Sequence, residues 1–429
     1  MCLSDVVALE KGQEKLLFRN VATVKQQGEK LIFSDILGIQ NEVNGTIQSI
    51  DLLENIIRIE TGKAETGEQK MSMSRKEFLS ASAAFAAAPA FAKASEGMSA
   101  FALKPDEIRA VLLHMGMNMW GEWRAPDEPK IEGKRYTHDE IYFSEDIWKR
   151  TIDHAKKRKY NMVVMDLGEF VVYPSHPELA VKGSWSPERM RAEVRRLRKM
   201  GLEPIPKLNF SATHDQWLKE YHRMIATEPY YRVCFDVIKD VCEIFETPRF
   251  MHIGMDEETL EWARKSLVVN CRQNELWWHS LYKILNAVES HGVRPWMFTS
   301  YAWSHPEYVE KCPKSVLQCV GYYNEDVQGY VIEKMDKRYQ PRLRNFINLS
   351  RAGFDIVAMP TNWVSEKLKK SGRTENSDCA AELVKFCRAN VDPERLKGFL
   401  MASWMECKTE GCFRFNCAGM DQLADALDA

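Results

Sequence analysis

The chain carries almost no net charge: 59 Lys and Arg stand against 61 Asp and Glu, leaving −2 over 429 residues. That balance removes the electrostatic case for nucleic acid or an acidic membrane surface as a partner. The sequence also lacks an uninterrupted apolar run of the roughly 18 residues a membrane helix needs, so no membrane span is expected. Its eleven cysteines form no Cys-x-x-Cys pair. An odd, scattered set that includes Cys234, Cys242, Cys271, Cys312, Cys319, Cys379 and Cys387 indicates neither a disulfide framework nor a zinc site. Reduced, mostly buried thiols are expected. No glycine-rich phosphate loop follows any strand candidate, which weighs against a doubly wound nucleotide-binding sheet.

What is present begins with ordinary globular composition, 45% hydrophobic and 28% charged. Twelve tryptophans and fourteen tyrosines are many. Core packing accounts for most of them, and aromatic faces also stack on sugar rings. The length suits two domains, or one large barrel with an appendage.

Three pieces are legible. Residues 1–62 carry short alternating apolar runs ("VVALEKG", "KLLFRNVATVKQQG", "KLIFSDILG", "GTIQSIDLLENIIRIE") separated by turns, the pattern of a small β-barrel. Residues 63–103 open as a polar linker and continue as "MSMSRKEFLSASAAFAAAPAFAKASEG". There a basic pair, Arg75 and Lys76, precedes an alanine-rich apolar run that ends in small residues, the layout of an export signal. An alanine-rich helical linker is the alternative. A chain beginning at Met71 or Met73 would be exported to the periplasm or cell envelope; the full 429-residue chain would be cytoplasmic.

From residue 104 to 429 strand and helix patterns alternate. Eight strand candidates can be counted: "AVLLHMGMNMW", "NMVVMDLGEF", "EPIPKLNF", "FMHIGMDEE", "PWMFTSYAW", "VLQCVGYYN", "DIVAMPTNW" and "GFLMASWME". Helices between them have readable ends, such as Ser186 as N-cap, Pro187 at the first helical position and Gly201 as terminator. A second helix, "NSDCAAELVKFCRANVD", begins with its own cap residues. Eight such units predict a (β/α)8 barrel, in which the site forms at the C-terminal strand ends. Those ends are loaded. The second carries Asp166 and Glu169, and the third Asn209 with His214 beyond. The fourth carries His252 and then Asp256-Glu257-Glu258, and the fifth Tyr301 and Trp303. Tyr322, Tyr323 and Asn324 close the sixth, Asn362 and Trp363 the seventh, and Trp404 and Glu406 the eighth.

If the fourth strand stays extended, His252, Gly254 and Asp256 share one face, and Asp256 projects into the barrel mouth. Glu257 leaves from the turn after it, and Glu258 opens the next helix, where the dipole favours an acid. Two adjacent carboxylates in an aromatic-lined pocket suggest glycoside hydrolysis, with one carboxyl's pKa raised so that it acts as an acid. The alternative is a pair of acids bonded to backbone amides at a helix start.

"HIGMDEE" resembles the His-x-Gly-x-Asp-Glu signature of family 20 glycoside hydrolases, the β-N-acetylhexosaminidase family. The similarity runs from residue 110 to 406. It includes "KYNMVVMDLGEFVVYPSHPELAVKGSWSPERMR", "GLEPIPKLNFSATH" with His214 at the family's loop histidine, and "GFLMASWME" with Trp404 and Glu406 matching. The resemblance implies a retaining, exo-acting enzyme in which Asp256 orients the substrate's acetamido group and Glu257 is the general acid/base. It implies no cofactor for this barrel. Asp166, Glu169, Asn209, His214, His252, Trp303, Tyr322, Trp363, Trp404 and Glu406 become candidate substrate-binding residues. Departures are visible as well: Lys207 and Asn209 replace acids, Phe298-Thr299-Ser300 replaces a Trp-Asp pair, and the usual Tyr-x-Asp and sugar-binding arginine are missing, with Arg124 merely nearby. A carbohydrate-binding barrel that kept the fold and lost the chemistry is the competing reading.

"MCLSDVVAL" and "ILGIQNEVNGTIQSIDLLENIIRIE" resemble the CooT-like family of small nickel-binding β-barrel proteins. After methionine removal Cys2 would offer an amine and a thiolate to square-planar Ni(II). One chain supplies too few donors, so the resemblance implies a homodimer through the N-terminal domain.

Overall fold

The structure, a computed structural model of the chain, describes residues 4–10, 13–28, 30–35, 40–51, 56–61 and 107–429 except 271, 324–329, 338 and 371. Cys2, the signal-like segment, Cys271 and Asn324 lie outside the described residues. The chain divides into two compact units, Met1–Gly97 and Met98–Ala429.

The first unit is a closed five-stranded barrel of β1 (Ser4–Glu10), β2 (Gln13–Gln27), β3 (Lys30–Asp35), β4 (Gln40–Asp51) and β5 (Ile56–Thr61). Its successive strands pair antiparallel, and a parallel β1–β5 ladder closes it. The period-two alternation places Val6 and Ala8, Leu31 and Phe33, and Ile57 and Ile59 in one apolar core with Val21.

The second unit is a closed barrel of eight parallel strands in chain order: β6 (Ile108–His114), β7 (Met162–Asp166), β8 (Glu203–Lys207), β9 (Phe250–His252), β10 (Arg294–Phe298), β11 (Leu317–Gly321), β12 (Ile356–Met359) and β13 (Leu396–Glu406), with β13 pairing back to β6. A principal helix follows each strand: α1 (Glu145–Lys157), α2 (Pro187–Lys199), α3 (Glu228–Ile244), α4 (Glu275–Glu289), α5 (Tyr308–Lys311), α6 (Gln340–Arg351), α7 (Cys379–Asn390) and α8 (Glu410–Asp428). This is the (β/α)8 architecture. The expected caps on α2 are present: the Arg189 N–H donates to Ser186 Oγ at 3.2 Å, and Gly201 ends the helix at φ +78°. On α7 the cap differs from expectation. Asp378 makes no capping bond and pairs with Arg373 instead.

Alternation sorts each barrel strand. Outward residues such as Val111, Leu113, Val163, Met165, Met251 and Phe399 pack in the core that includes the helices. Inward ones, among them Ile108, Ala110, Leu112, Met162, Val164, Ile205, Phe250, Trp296, Leu317, Val357 and Leu400, fill the lumen. The lumen is therefore a packed core up to its last inward layer. There the two halves part. On β6 to β9 that layer reads His114, Asp166, Lys207 and His252; on β10 to β13 it reads Phe298, Cys319, Met359 and, at the β13 irregularity, Trp404.

Nine cysteines are described, and all are buried. No helix among the described residues is long and apolar enough to cross a membrane.

Candidate active site

β9 ends at His252, and the chain leaves it through left-handed residues: Gly254 at φ +72°, Met255 at +67° and Glu257 at +57°. The extended alternation expected from His252 to Asp256 therefore stops at His252, although Asp256 still reaches the barrel mouth. Glycine is required at 254 on two counts. Its φ is one that side chains resist, and a Cβ there would stand 2.0 Å from Asn209 Oδ1. That close approach lets Asn209 Nδ2 donate to Asp256 Oδ1 at 2.9 Å.

The backbone of the pair is held from both sides. Ser211 Oγ donates to the Asp256 carbonyl, and Thr213 Oγ1 lies 3.3 Å from the Glu257 carbonyl. The Glu257 N–H donates to Ser300 Oγ at 2.9 Å. A non-glycine residue in the left-handed region costs of order 1–3 kcal/mol and persists where its surroundings over-determine it, as these three hydroxyls do. His214 closes the group: its Nε2 lies 3.5 Å from Glu257 Oε2, and its Nδ1 lies 3.0 Å from Thr213 Oγ1. Burial pushes the His214 imidazolium pKa down, against the pull of Asp256. Donor atoms of His214, Asp256 and Glu257 lie within 4.8 Å of one another, close enough to hold a divalent cation.

Glu258 is placed differently from expectation. It lies two residues before a short helix, Leu260–Ala263, but its carboxylate is not spent there: it is buried and ion-paired with Arg272 at 2.6 Å, and it accepts the Ala212 N–H at 3.0 Å. Burial pushes its carboxyl up, and the Arg272 guanidinium opposes that. Its role is to clamp the loops after β8 and β9 together.

Above the pair opens a cleft of about 720 Å³. Among the candidates, His214, Asp256, Glu257, Trp303, Tyr322, Trp363, Trp404 and Glu406 line it. Asn209 stands one shell back, holding Asp256. Asp166, Glu169 and His252 are not in the lining. Asp166 is fully buried in the lumen, 2.7 Å from Lys207 Nζ. Burial alone would raise its carboxyl, but Lys207 and His114 hold it below the usual range. His252, also in the lumen, packs on Phe298 at 4.2 Å. Glu169 is buried behind the loop after β6, where it accepts the Met117 N–H at 2.7 Å and the Asn118 N–H at 3.2 Å. Burial pushes its carboxyl up to about 7. Arg124 does not reach the cleft, because its guanidinium is taken by the carbonyls of Ala125, Pro126 and Glu128.

Several lining residues were not among the candidates: Trp120, Lys134, Arg135, Thr213, Gln216, Trp262, Lys265, Ser300, Tyr323 and Arg342. Half of them, Trp120, Lys134, Arg135, Trp262 and Lys265, come from the long connections after β6 and β9. One signal was available: aromatics within a loop that follows a barrel strand, as at Trp120 and Trp262, point to the mouth. Trp404 forms the floor, with its ring against those of His114, Trp120, Phe298 and Tyr323 at 5.8–6.4 Å. It is also left-handed, at φ +56°.

Fold and site together define a (β/α)8 barrel with a carboxylate pair at the end of its fourth strand and an aromatic cleft above it. Comparison with known proteins gives, for residues 1–60, a match to the family model of the CO dehydrogenase accessory protein CooT. No curated protein matches the chain. Among solved structures the chain is similar to a GH20 exo β-N-acetylglucosaminidase from Vibrio harveyi, at 15% identity over 75% of this chain and 56% of that one, with a TM-score of 0.48. It is also similar to the GH20 β-N-acetylhexosaminidase of Streptomyces coelicolor A3(2), at 14% identity over 74% and 64%, with a TM-score of 0.49. The β-N-acetylhexosaminidase of Bacteroides fragilis follows, at 12% over 73% and 65%, with a TM-score of 0.48. The chain spans less than two thirds of the length of each of these three proteins.

Proposed function

We propose that the barrel is a retaining exo-glycosidase acting on a terminal N-acetylhexosamine-type sugar. The observation that carries this reading is the paired Asp256 and Glu257, held at the mouth of an aromatic cleft with one carboxylate tied to Asn209 and the other facing His214. The sugar would lie on the Trp404 floor. Asp256 would accept the acetamido N–H and turn the acetamido oxygen toward the anomeric carbon. That oxygen attacks, the bond to the leaving oxygen breaks, and Glu257 delivers its proton to that oxygen. Water then enters, gives its proton back to Glu257 and opens the cyclic intermediate, so configuration is retained.

The hydrogen-bond network supports Glu257 as the group that carries the proton. His214 Nδ1 shares a hydrogen bond with Thr213 Oγ1 at 3.0 Å, which turns its Nε2 toward Glu257 Oε2, 3.5 Å away and within the cleft lining. The test is a panel of aryl glycosides: N-acetylglucosaminide, N-acetylgalactosaminide and glucoside. Turnover of either N-acetylated substrate with retained configuration is expected. Sugar binding by calorimetry with no hydrolysis of any of them would establish the non-catalytic carbohydrate-binding barrel instead.

For the N-terminal unit we propose nickel binding at a homodimer, supported by the CooT family match. Among the described residues the five-stranded barrel offers no cluster of three metal-ligating side chains. The metal would therefore need Cys2, outside the described residues, from two chains. Nickel titration of the full chain should give about one ion per two chains, lost in Cys2→Ser; undiminished binding by that variant would refute the assignment.

A further inference from the structure

The cleft lining carries cations that the catalytic steps do not use. Lys134 and Arg135 come from the connection after β6, Lys265 from the connection after β9, and Arg342 from the start of α6. The first two connections meet here: Lys134 Nζ donates to the Lys265 carbonyl, and the Leu267 N–H donates to Glu122 Oε1 at 3.1 Å. Two of the cleft's indoles hold a cation. Lys265 Nζ stands 3.6 Å from the Trp262 ring centroid, and the Arg342 guanidinium stands 4.3 Å from that of Trp303. A ring with a cation over its face presents charge where a bare ring would present a stacking surface.

The acids of the lining offset this charge only in part. Outside the catalytic pair they are Glu122, Glu261 and Glu406. Glu261 reaches Lys265 only at 3.9 Å and from an exposed position, and such a pair is worth little. Glu406 ends β13, whereas the cations come from connections after β6, β9 and β11. Lys134 and Arg135 form no ion pair among the described residues, and Arg135 and Lys265 are exposed. Contacts also fix the side of the pair on which three of the cations stand. Glu257 Oε2 is 3.5 Å from His214 Nε2, the His214 and Trp262 ring centroids are 5.9 Å apart, and Lys265 lies on Trp262 with Lys134 bonded to its carbonyl. The basic cluster therefore lies beyond Glu257. Asp256 is held from the other side, by Asn209.

Resting on the glycosidase reading above, we propose that the sugar on the leaving side of the scissile bond is acidic: the cleft takes a terminal N-acetylhexosamine linked to a residue that bears an oxyanion, a uronate carboxylate or a sulfate, which Lys134, Arg135 and Lys265 receive. Glu257 delivers its proton to the leaving oxygen, so groups beyond Glu257 flank the departing sugar. Cations fixed there attract an anionic leaving sugar and disfavour none of the groups on the reacting ring, so the gain falls on capture of the substrate.

The test uses three disaccharides with the same β-linked N-acetylglucosamine, differing only in the leaving sugar: glucose, glucuronate or glucose 6-sulfate. At an ionic strength of about 0.02 M, kcat/KM for at least one acidic disaccharide should exceed that for the neutral one by about five- to tenfold. The ratio should approach one at about 0.5 M, where exposed charges are screened. Which acidic disaccharide is preferred identifies the oxyanion. Arg135→Gln/Lys265→Gln should bring the low-salt ratio to within about twofold of one, and Arg135→Lys/Lys265→Arg, which keeps both charges, should hold it near the parent's value. An equal loss on all three substrates in the first variant would mean that these side chains only support the loops, and would overturn the proposal. So would a parental ratio near one for both acidic disaccharides, and cleavage of the neutral disaccharide would then leave the glycosidase reading standing. If none of the three is cleaved, the glycosidase reading falls, and the ratios of their Kd values by calorimetry decide the anion preference.

Discussion

The two halves of the eight-stranded barrel are built alike up to their last inward layer and differ completely in it. On β6 to β9 that layer is His114, Asp166, Lys207 and His252; on β10 to β13 it is Phe298, Cys319, Met359 and Trp404. The first half carries charge, and the carboxylate pair rises from its edge. The second half is apolar, and its residues reach the cleft as a floor. A sugar ring has faces rich in C–H and a rim of polar groups, so an apolar floor beside a charged wall can present one face to aromatics and the reacting bond to the acids. Changes in the polar half should therefore alter chemistry and pH behaviour, and changes in the apolar half should alter binding.

The largest effect is expected from Glu257→Gln, in the polar half. On the proposed mechanism Glu257 is the proton donor, and its loss should lower kcat by about 10²–10⁴ on a glycoside whose leaving oxygen needs protonation, and by much less on an aryl glycoside with a good leaving group. Measured kcat values on the two substrate types check this. Equal losses on both, or none on the natural glycan, would remove Glu257 from the acid's role and undo the division of labour between the halves.

Next is pH-dependent stability, through Glu169. Its carboxyl stands at about 7 in the folded chain, against 4.5 as its ordinary value, so the folded state binds the proton more tightly than the unfolded one. That contribution is fully present below about 4.5 and is lost as pH rises through about 7. The loss amounts to at most about 3 kcal/mol. Chemical denaturation of the parent between pH 5 and 8 should show the decline, and Glu169→Gln, which keeps an acceptor for the Met117 and Asn118 N–H groups, should flatten it. A parent curve that rises over this range would contradict the assignment.

Gly254→Ala comes third. Forcing a Cβ into Asn209 Oδ1 at φ +72° should cost about 1–3 kcal/mol of stability and release Asp256 from its hydrogen bond. Thermal melting and kcat should fall together. A variant with a parental melting point and a lowered kcat would sharpen the comparison further, by confining the strain to the Asn209–Asp256 contact.

How far the site was legible follows from the same contrast. The eight strands and the pair at the fourth could be read because alternation and the His-x-Gly-x-Asp-Glu spacing are local. Depth could not. Parity says that Asp166 and His252 point inward, but whether an inward residue lines the mouth or lies sealed beneath it depends on side chains from other strands, here Phe298 and Trp404. Glu258 could not be placed because its partner, Arg272, comes fourteen residues on in the same long connection, at no spacing a regular element would set. Lys207 was visible only as a departure from an acidic pattern, and its meaning needed the register that sets it beside Asp166.

The smallest effect belongs to the apolar half, at Trp363. This residue follows β12, lines the cleft and is 36% exposed, so its ring is available to a ligand and contributes little to the core. Its backbone is fixed independently of the ring: its N–H donates to Thr361 Oγ1 at 3.0 Å, and its carbonyl accepts from Asn376 Nδ2 at 3.0 Å. Trp363→Ala should therefore leave the loop in place and change stability by no more than about 0.5 kcal/mol. What is lost is one stacking surface, which ground state and transition state use alike if it touches the sugar away from the breaking bond. The expected outcome is KM raised several-fold, roughly 1 kcal/mol, with kcat unchanged. If kcat falls while KM holds, Trp363 belongs with the reacting groups, and the boundary between the two halves lies beyond β12.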